Sequence, residues 1–412
     1  MSFHKHTLAN GLTIIGEISP STRSVAVGFF VRTGSRDETP SEAGLSHFLE
    51  HMVFKGTPRR SALDVNYDFD RIGASYNAYT SEENTVFYAA ILPEYLPQAI
   101  DILADIMRPS LREEDFTEEK KVILDEIGMY EDQPMFCAYD HARKAFFAPH
   151  PLGNSVLGTT ESVGALTPKQ MKNYFARRYV ASNLTCVLAG NFNWDEAVKL
   201  IESQCSQWST GDAPREYRTQ ATPRELLTTI TKEKLNQEQV ILIAPGPAAD
   251  TKERYAADTL TMIVGDDTGS RLYWALVDPG YADSADLSYH DYDGAGAYFG
   301  SFSCEPEDTA ENLAIIRAIL TDVQRDGVSN EELAIAKSKI LSRIVRGSER
   351  PMGRMQALGM SWTYLRTYRT VDEELQSFDA VTLKDLRDVL DKYPFDQLTI
   401  LALGPLPSLT AT

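Results

Sequence analysis

Long apolar runs are missing from these 412 residues. The longest, such as Thr185 to Ala189 and Leu398 to Leu403, suit single strands and fall far short of the roughly 20 residues that span a bilayer. The start, MSFHKHTLANGLTII, puts no apolar core behind a charged leader, so no secretory signal is expected and a cytoplasmic location is. Cysteine is scarce. Cys137, Cys186, Cys205 and Cys304 are scattered with no C-x-x-C pair, which suits free thiols in a reducing compartment and gives none of them the local signature of a nucleophile. Positive charge is outnumbered, with 40 Lys and Arg against 59 Asp and Glu, and the net charge of -19 disfavours nucleic acid and anionic membrane surfaces as partners. Histidine is rare too: His4, His6, His47, His51, His141, His150 and His290 are all there are.

Two of those seven histidines stand in one short stretch, Ser41 to Thr57 (SEAGLSHFLEHMVFKGT). Residues three and four apart share a helix face, so His47, Glu50 and His51 point the same way. Imidazoles at i and i+4 can hold one zinc ion, and a carboxylate beside them can take a proton from water. Leu45, Phe48, Leu49, Met52, Val53 and Phe54 clothe the remainder in hydrocarbon, which predicts a buried helix. The plainer explanation, two core histidines beside a helix glutamate, leaves a buried carboxylate without a partner, which is costly.

The composition, 43% hydrophobic and 24% charged, is that of an ordinary soluble globular chain, and 45.9 kDa exceeds what one core usually supports. Leu8 to Glu17, with Asn10-Gly11 as a turn signal, and Ser24 to Thr33 read as two strands of a hairpin. Helices are predicted over Arg60 to Ile72, Tyr95 to Met107, Glu113 to Tyr130 and Thr167 to Tyr179, the last capped by Thr167. Ala74 to Thr80, Thr85 to Leu92 and Asn183 to Asn191 read as strands.

Trp208 to Arg224 breaks the pattern with polar, Gly and Pro residues and reads as a linker. Beyond it the pattern repeats. Thr167 to Phe192 aligns with Thr382 to Leu406 as a capped helix, a turn and a strand ending in Gly, and Asp115 to Ile127 aligns with Glu332 to Ile344. The offsets, 215 and 217 residues, are nearly constant, so the expected fold class is α+β: a tandem duplication of a domain whose mixed, mainly antiparallel sheet packs against helices. The expected domains are 1–207, carrying the metal, and 225–412, a non-catalytic copy, joined by 208–224.

Zinc held by protein at three positions needs one ligand beyond the histidine pair. A carboxylate is the economical choice, and the Glu113 to Tyr130 helix offers Glu119 and Glu126, seven apart and on one face amid Val122, Ile123 and Ile127. Spacing alone does not choose between them or exclude a solvated acidic face.

H-x-x-E-H is the inverzincin motif, and GLSHFLEHMVFKGT followed by NAYTSEENTVFYA, ILADI and EEKKVILDEI resembles the superfamily of pitrilysin, insulysin and the mitochondrial processing peptidase. The likeness is greatest to short bacterial members built as one two-domain chain. The resemblance implies a zinc metalloendopeptidase with Glu126 as third ligand beside His47 and His51, Glu119 as supporting acid, and Glu50 as general base. It further implies that Asn77-Ala78-Tyr79-Thr80 is an edge strand along which an extended peptide lies, with Asn77, Ala78 and Tyr79 as substrate-binding residues.

In the duplicated register Arg343 stands opposite Glu126 and Ala336 opposite Glu119. The family's second half commonly supplies an arginine and a tyrosine that grip substrate, and here Val277 and Asp283 occupy those positions, with Tyr281 or Tyr289 as substitutes under a shifted register. The resemblance therefore implies a heterodimer with a homologous subunit carrying that pair, a homodimer being the runner-up. Two other readings share the fold: a structural subunit of the kind found as core proteins in respiratory complexes, and a peptide-binding module that keeps zinc without turnover.

Overall fold

The computed structural model describes residues 2–215 and 225–409, so residues 216–224 of the expected linker lie outside the described residues. The first half runs β1 (Ser2–Thr7), β2 (Thr13–Ile18), β3 (Val25–Val31), α1 (Leu45–Val53), α2 (Ala62–Arg71), β4 (Ser75–Thr80), β5 (Thr85–Ile91), α3 (Leu96–Ile106), α4 (Glu113–Glu131), α5 (Pro134–Phe147), α6 (Thr160–Ala165), α7 (Pro168–Arg178), β6 (Leu184–Gly190) and α8 (Trp194–Cys205). The second continues β7 (Leu226–Thr231), β8 (Glu238–Pro245), α9 (Arg254–Gly265), β9 (Ser284–Tyr292), β10 (Ala295–Cys304), α10 (Thr309–Asp326), α11 (Asn330–Ser348), α12 (Pro351–Leu365), α13 (Val371–Asp379), α14 (Leu383–Lys392) and β11 (Thr399–Gly404).

The apolar runs VAVGFFV and LTCVLAG are buried along their whole length as β3 and β6, and such strands need neighbours on both edges and cover on both faces. The first sheet accordingly has the order β1-β2-β6-β3-β5-β4. Here β6 separates β2 from β3, pairing parallel with one and antiparallel with the other, so the expected hairpin between Leu8–Glu17 and Ser24–Thr33 does not form. The Asn10-Gly11 turn instead joins β2 to β1, an antiparallel strand that the alternation of the first residues did not reveal. The second sheet, β7-β11-β8-β10-β9, repeats the order and the strand directions of the first without β1. Two mixed, mainly antiparallel sheets of one order, each packed against helices, make the fold an α+β tandem duplication.

The two compact units are not contiguous halves. One comprises Met1–Gly128, Asn154–Glu216 and Arg346–Arg369; the other comprises Met129–Gly153, Tyr217–Val345 and Thr370–Thr412. The sequence reading divided the chain once, within 208–224, whereas the structure also carries α12 into the first unit and α5 into the second. Strand alternation gives the reason. Ala26 and Phe30 of β3, with Val187 and Ala189 of β6, form one apolar face, and Met355, Leu358 and Trp362 of α12 cover it. In the second unit Ile241, Ile243, Leu401 and Leu403 present the equivalent face to Ala138, Ala142 and Phe146 of α5. Both helices begin with Pro-Met, Pro134-Met135 and Pro351-Met352, and each completes the sheet of the opposite half. Burying Met355, Leu358 and Trp362 contributes about 1.5–3 kcal/mol for each side chain.

One buried ion pair fastens α12. Arg354 Nε and Nη2 donate to Glu17 of β2 at 2.8 and 2.5 Å, and the Tyr368 hydroxyl donates to the same carboxylate at 2.6 Å. Glu17 is 1% exposed. Arg354→Met should therefore leave a buried carboxylate short of its countercharge and destabilise the chain by about 3–5 kcal/mol, read as a lower urea midpoint. The double variant with Glu17→Gln should recover part of that loss.

Candidate metal centre

The helix α1 starts where it does because an acid outside it holds its first N–H groups. Glu38 accepts from Gly44 N at 2.8 Å and from Ser46 N at 2.6 Å, the stabilising place for an acid in a helix's positive end. Gly44 is left-handed, with φ of 92°, and an added Cβ would lie 2.8 Å from the Leu157 carbonyl oxygen, so only glycine fits this turn. Full burial pushes Glu38 up to about 8 in spite of its N–H donors. No sequence pattern marked Glu38, which sits in a polar loop of ordinary composition. Leu45, Phe48, Leu49, Met52 and Val53 are all at most 1% exposed, which leaves His47, Glu50 and His51 on the remaining face.

Against that face lies α4. One ligand atom each from His47, His51 and Glu126 fall within 4.8 Å of one another. Glu126 Oε2 is 3.8 Å from His47 Nε2 and 3.5 Å from His51 Nε2. It is buried and, among the described residues, makes no hydrogen bond, and neither does the buried Nδ1 of His47. Glu119, the other candidate, lies behind this cluster instead: its Oε1 meets His51 Nδ1 at 2.9 Å, and its Oε2 pairs with Lys55 Nζ. An ionised Glu119 can only accept, so Nδ1 of His51 is the N–H and the Nε2 lone pair of the neutral ring turns toward Glu126.

Charge is arranged to suit a cation. Burial, and then the neighbouring His51, lower His47 to about 3, which keeps it neutral with a lone pair to offer. Burial also works to lower His51, but the Glu119 hydrogen bond and the charges of Glu126 and Glu50 leave it raised. Glu119 is held below the usual carboxylate range, His51 and Lys55 outweighing its burial. Burial raises Glu50, whose Oε2 accepts from the Thr80 hydroxyl at 2.6 Å. Two imidazole nitrogens and one carboxylate oxygen are the donor set that zinc takes when a fourth position is left open. A buried carboxylate oxygen 3.8 and 3.5 Å from two ring nitrogens, without a hydrogen bond among the described residues, is a placement that a divalent cation satisfies. The residues present fit zinc.

Asn77, Ala78 and Tyr79 lie in β4, the edge strand of its sheet. Asn77 is exposed and Ala78 buried, while the Tyr79 hydroxyl donates to Gln356 Oε1 of α12 at 2.9 Å. Tyr79 is thus held on the face opposite Thr80, which leaves the strand's backbone edge, rather than this phenol, open to a ligand. Sequence reasoning placed Thr80 on this edge strand without giving its hydroxyl a role, and missed Gln356.

Among the described residues the second copy carries none of this cluster. On α11 Ala336 is buried, and Arg343 pairs with Asp266 at 2.5 Å beside Lys339, which reaches the same carboxylate at 2.8 Å. Of the two candidate tyrosines, Tyr289 gives its hydroxyl to the Pro247 carbonyl at 2.6 Å and Tyr281 is exposed.

The family described as insulinase (peptidase family M16) matches residues 13–160, and the peptidase M16 inactive domain matches 165–340. An uncharacterized zinc protease of Mycobacterium tuberculosis is 32% identical, covering 97% of this chain and 92% of the relative. One from Bacillus subtilis is 32% identical over 92% of this chain and 93% of its own. A crystallised Helicobacter pylori protease shares the fold, with a TM-score of 0.92 over 98% of this chain and 99% of that one at 22% identity. With curated relatives matched over nearly its whole length, the chain belongs to the insulinase family, peptidase family M16.

Proposed function

We propose that this chain is a zinc-dependent endopeptidase that hydrolyses short or unfolded peptides. The observation that carries the reading is the meeting of His47, His51 and Glu126 within 4.8 Å beside a separate carboxylate, Glu50. His47, His51 and Glu126 would hold the ion. Zinc, when bound, polarises a carbonyl and lowers the pKa of water toward ~7. Glu50 accepts the proton lost as water attacks the scissile carbonyl and returns it to the departing amine. Glu119 keeps His51 oriented through Nδ1, with Lys55 balancing its charge. The free edge of β4 aligns an extended peptide by main-chain hydrogen bonds, which makes recognition broad in sequence.

Val277 and Asp283, where the family's arginine and tyrosine are expected, support a partner subunit of the same fold that supplies that pair. The same two residues favour the competing reading, a catalytically silent structural or peptide-binding homologue. Chelator-sensitive cleavage of an unstructured peptide separates them: cleavage by the chain alone removes the need for a partner, and activity only after a homologous chain is added supports the heterodimer. No cleavage under either condition, with zinc bound, rejects the peptidase reading.

Zinc titration of the dialysed chain should find one site. His47→Ala and Glu126→Ala should abolish it, whereas Glu119→Ala should weaken it by about 10–100-fold. Equal losses for Glu119 and Glu126 variants would reverse their assignments. Glu50→Gln should keep the ion and lose turnover, by at least about 100-fold, as followed by peptide hydrolysis beside metal analysis.

A further inference from the structure

We propose that Thr80 is the positioning residue for the general base, so that the strand presenting its edge to the peptide also aims Glu50. The proposal rests on the reading of Glu50 given above. Thr80 Oγ1 lies 2.6 Å from Glu50 Oε2, and among the described residues it is the one hydrogen-bond donor that Glu50 has. The direction of that bond is determined by its neighbour. Thr80 Oγ1 is 3.5 Å from Thr85 Oγ1, and the Thr85 proton goes to the Thr33 carbonyl at 2.9 Å. Thr85 is 0% exposed, so it has no water to which it could transfer that bond. Thr85 can only accept from Thr80, at the longer distance, and the single Thr80 proton takes the shorter path to Glu50.

The donor is itself anchored. Thr80 pairs with Thr85 in the antiparallel ladder of β4 and β5, and the turn beyond it closes through Ser81 N to Asn84 O at 2.8 Å. One residue earlier, Tyr79 is tied to Gln356 of α12 at 2.9 Å. A glutamate side chain with three free torsions is thereby fixed by a rigid strand: Oε2 is held and Oε1 is left to accept a proton. The edge of β4 and the hydroxyl at its end belong to one short strand, so a peptide added to that edge lies in a defined register to the base.

Thr80→Val keeps the shape and removes the donor. Zinc stoichiometry, zinc affinity, the melting midpoint and KM for an unstructured peptide should match wild type, while kcat falls by roughly 10–100-fold, a fraction of the ~10²–10⁴ that general base catalysis supplies. Thr80→Ser restores the hydroxyl and should return kcat to within a few-fold of wild type. The assay uses the full chain, with a homologous partner chain present wherever wild type requires one. Wild-type kcat in Thr80→Val overturns this assignment and leaves the peptidase reading intact. Loss of zinc or early melting in Thr80→Val, or a Thr80→Ser chain no better than Thr80→Val, also overturns it, since the hydroxyl would then serve the fold or nothing. A zinc-loaded wild type that cleaves no peptide alone or with partner removes the base and this proposal together.

Discussion

The arrangement depends on one carboxylate oxygen that faces two imidazoles out of reach of water. Glu126 presents a buried oxygen to the ring nitrogens of His47 and His51, and among the described residues that oxygen makes no hydrogen bond. A buried oxygen without a hydrogen bond is costly, and the charged groups around it are balanced. Glu119, buried between His51 and Lys55, provides that balance on one side. Glu38, capping α1 from outside, keeps the helix start in place on the other. What remains uncompensated is one position between two imidazoles and a carboxylate, the chemistry of a divalent cation site.

The interleaving of the two halves explains why a copy without metal-binding residues stays in the same chain. The α12 helix supplies the apolar cover of β3 and β6, the buried Arg354 that neutralises Glu17, and the Gln356 that holds Tyr79 in the edge strand. Without it one face of the first sheet would be open to water. In return α5 covers the second sheet. Each half is therefore incomplete as a folding unit, and the first half depends on a helix encoded more than 200 residues after His47, Glu50 and His51.

The duplication also shows how one scaffold carries two different charge arrangements. Strand order is the same in both sheets, yet Glu126 is matched by Arg343 and Glu119 by Ala336. Arg343 and Lys339 converge on Asp266, a buried acid, so the second copy satisfies its charges with an internal salt bridge. With the sign on α11 reversed, the second copy carries its own cations where the first presents a carboxylate to two imidazoles.

Much of the site could be read locally. The i, i+3, i+4 spacing of His47, Glu50 and His51 follows from helix periodicity, and Glu119 with Glu126 from the same periodicity on α4, because a helix places side chains by rules confined to a few residues. The repeat at a constant offset disclosed the duplicated α+β plan for the same reason: each copy keeps its own short-range pattern. The insertion of β6 between β2 and β3, the exchange of α5 and α12, the capping by Glu38 and the reach of Thr80 to Glu50 were decided by tertiary structure alone. Each pairs groups far apart in the chain, or depends on which sheet face needs cover, and apolar periodicity states only that a face is to be buried. What buries it is chosen by the packing of the whole unit.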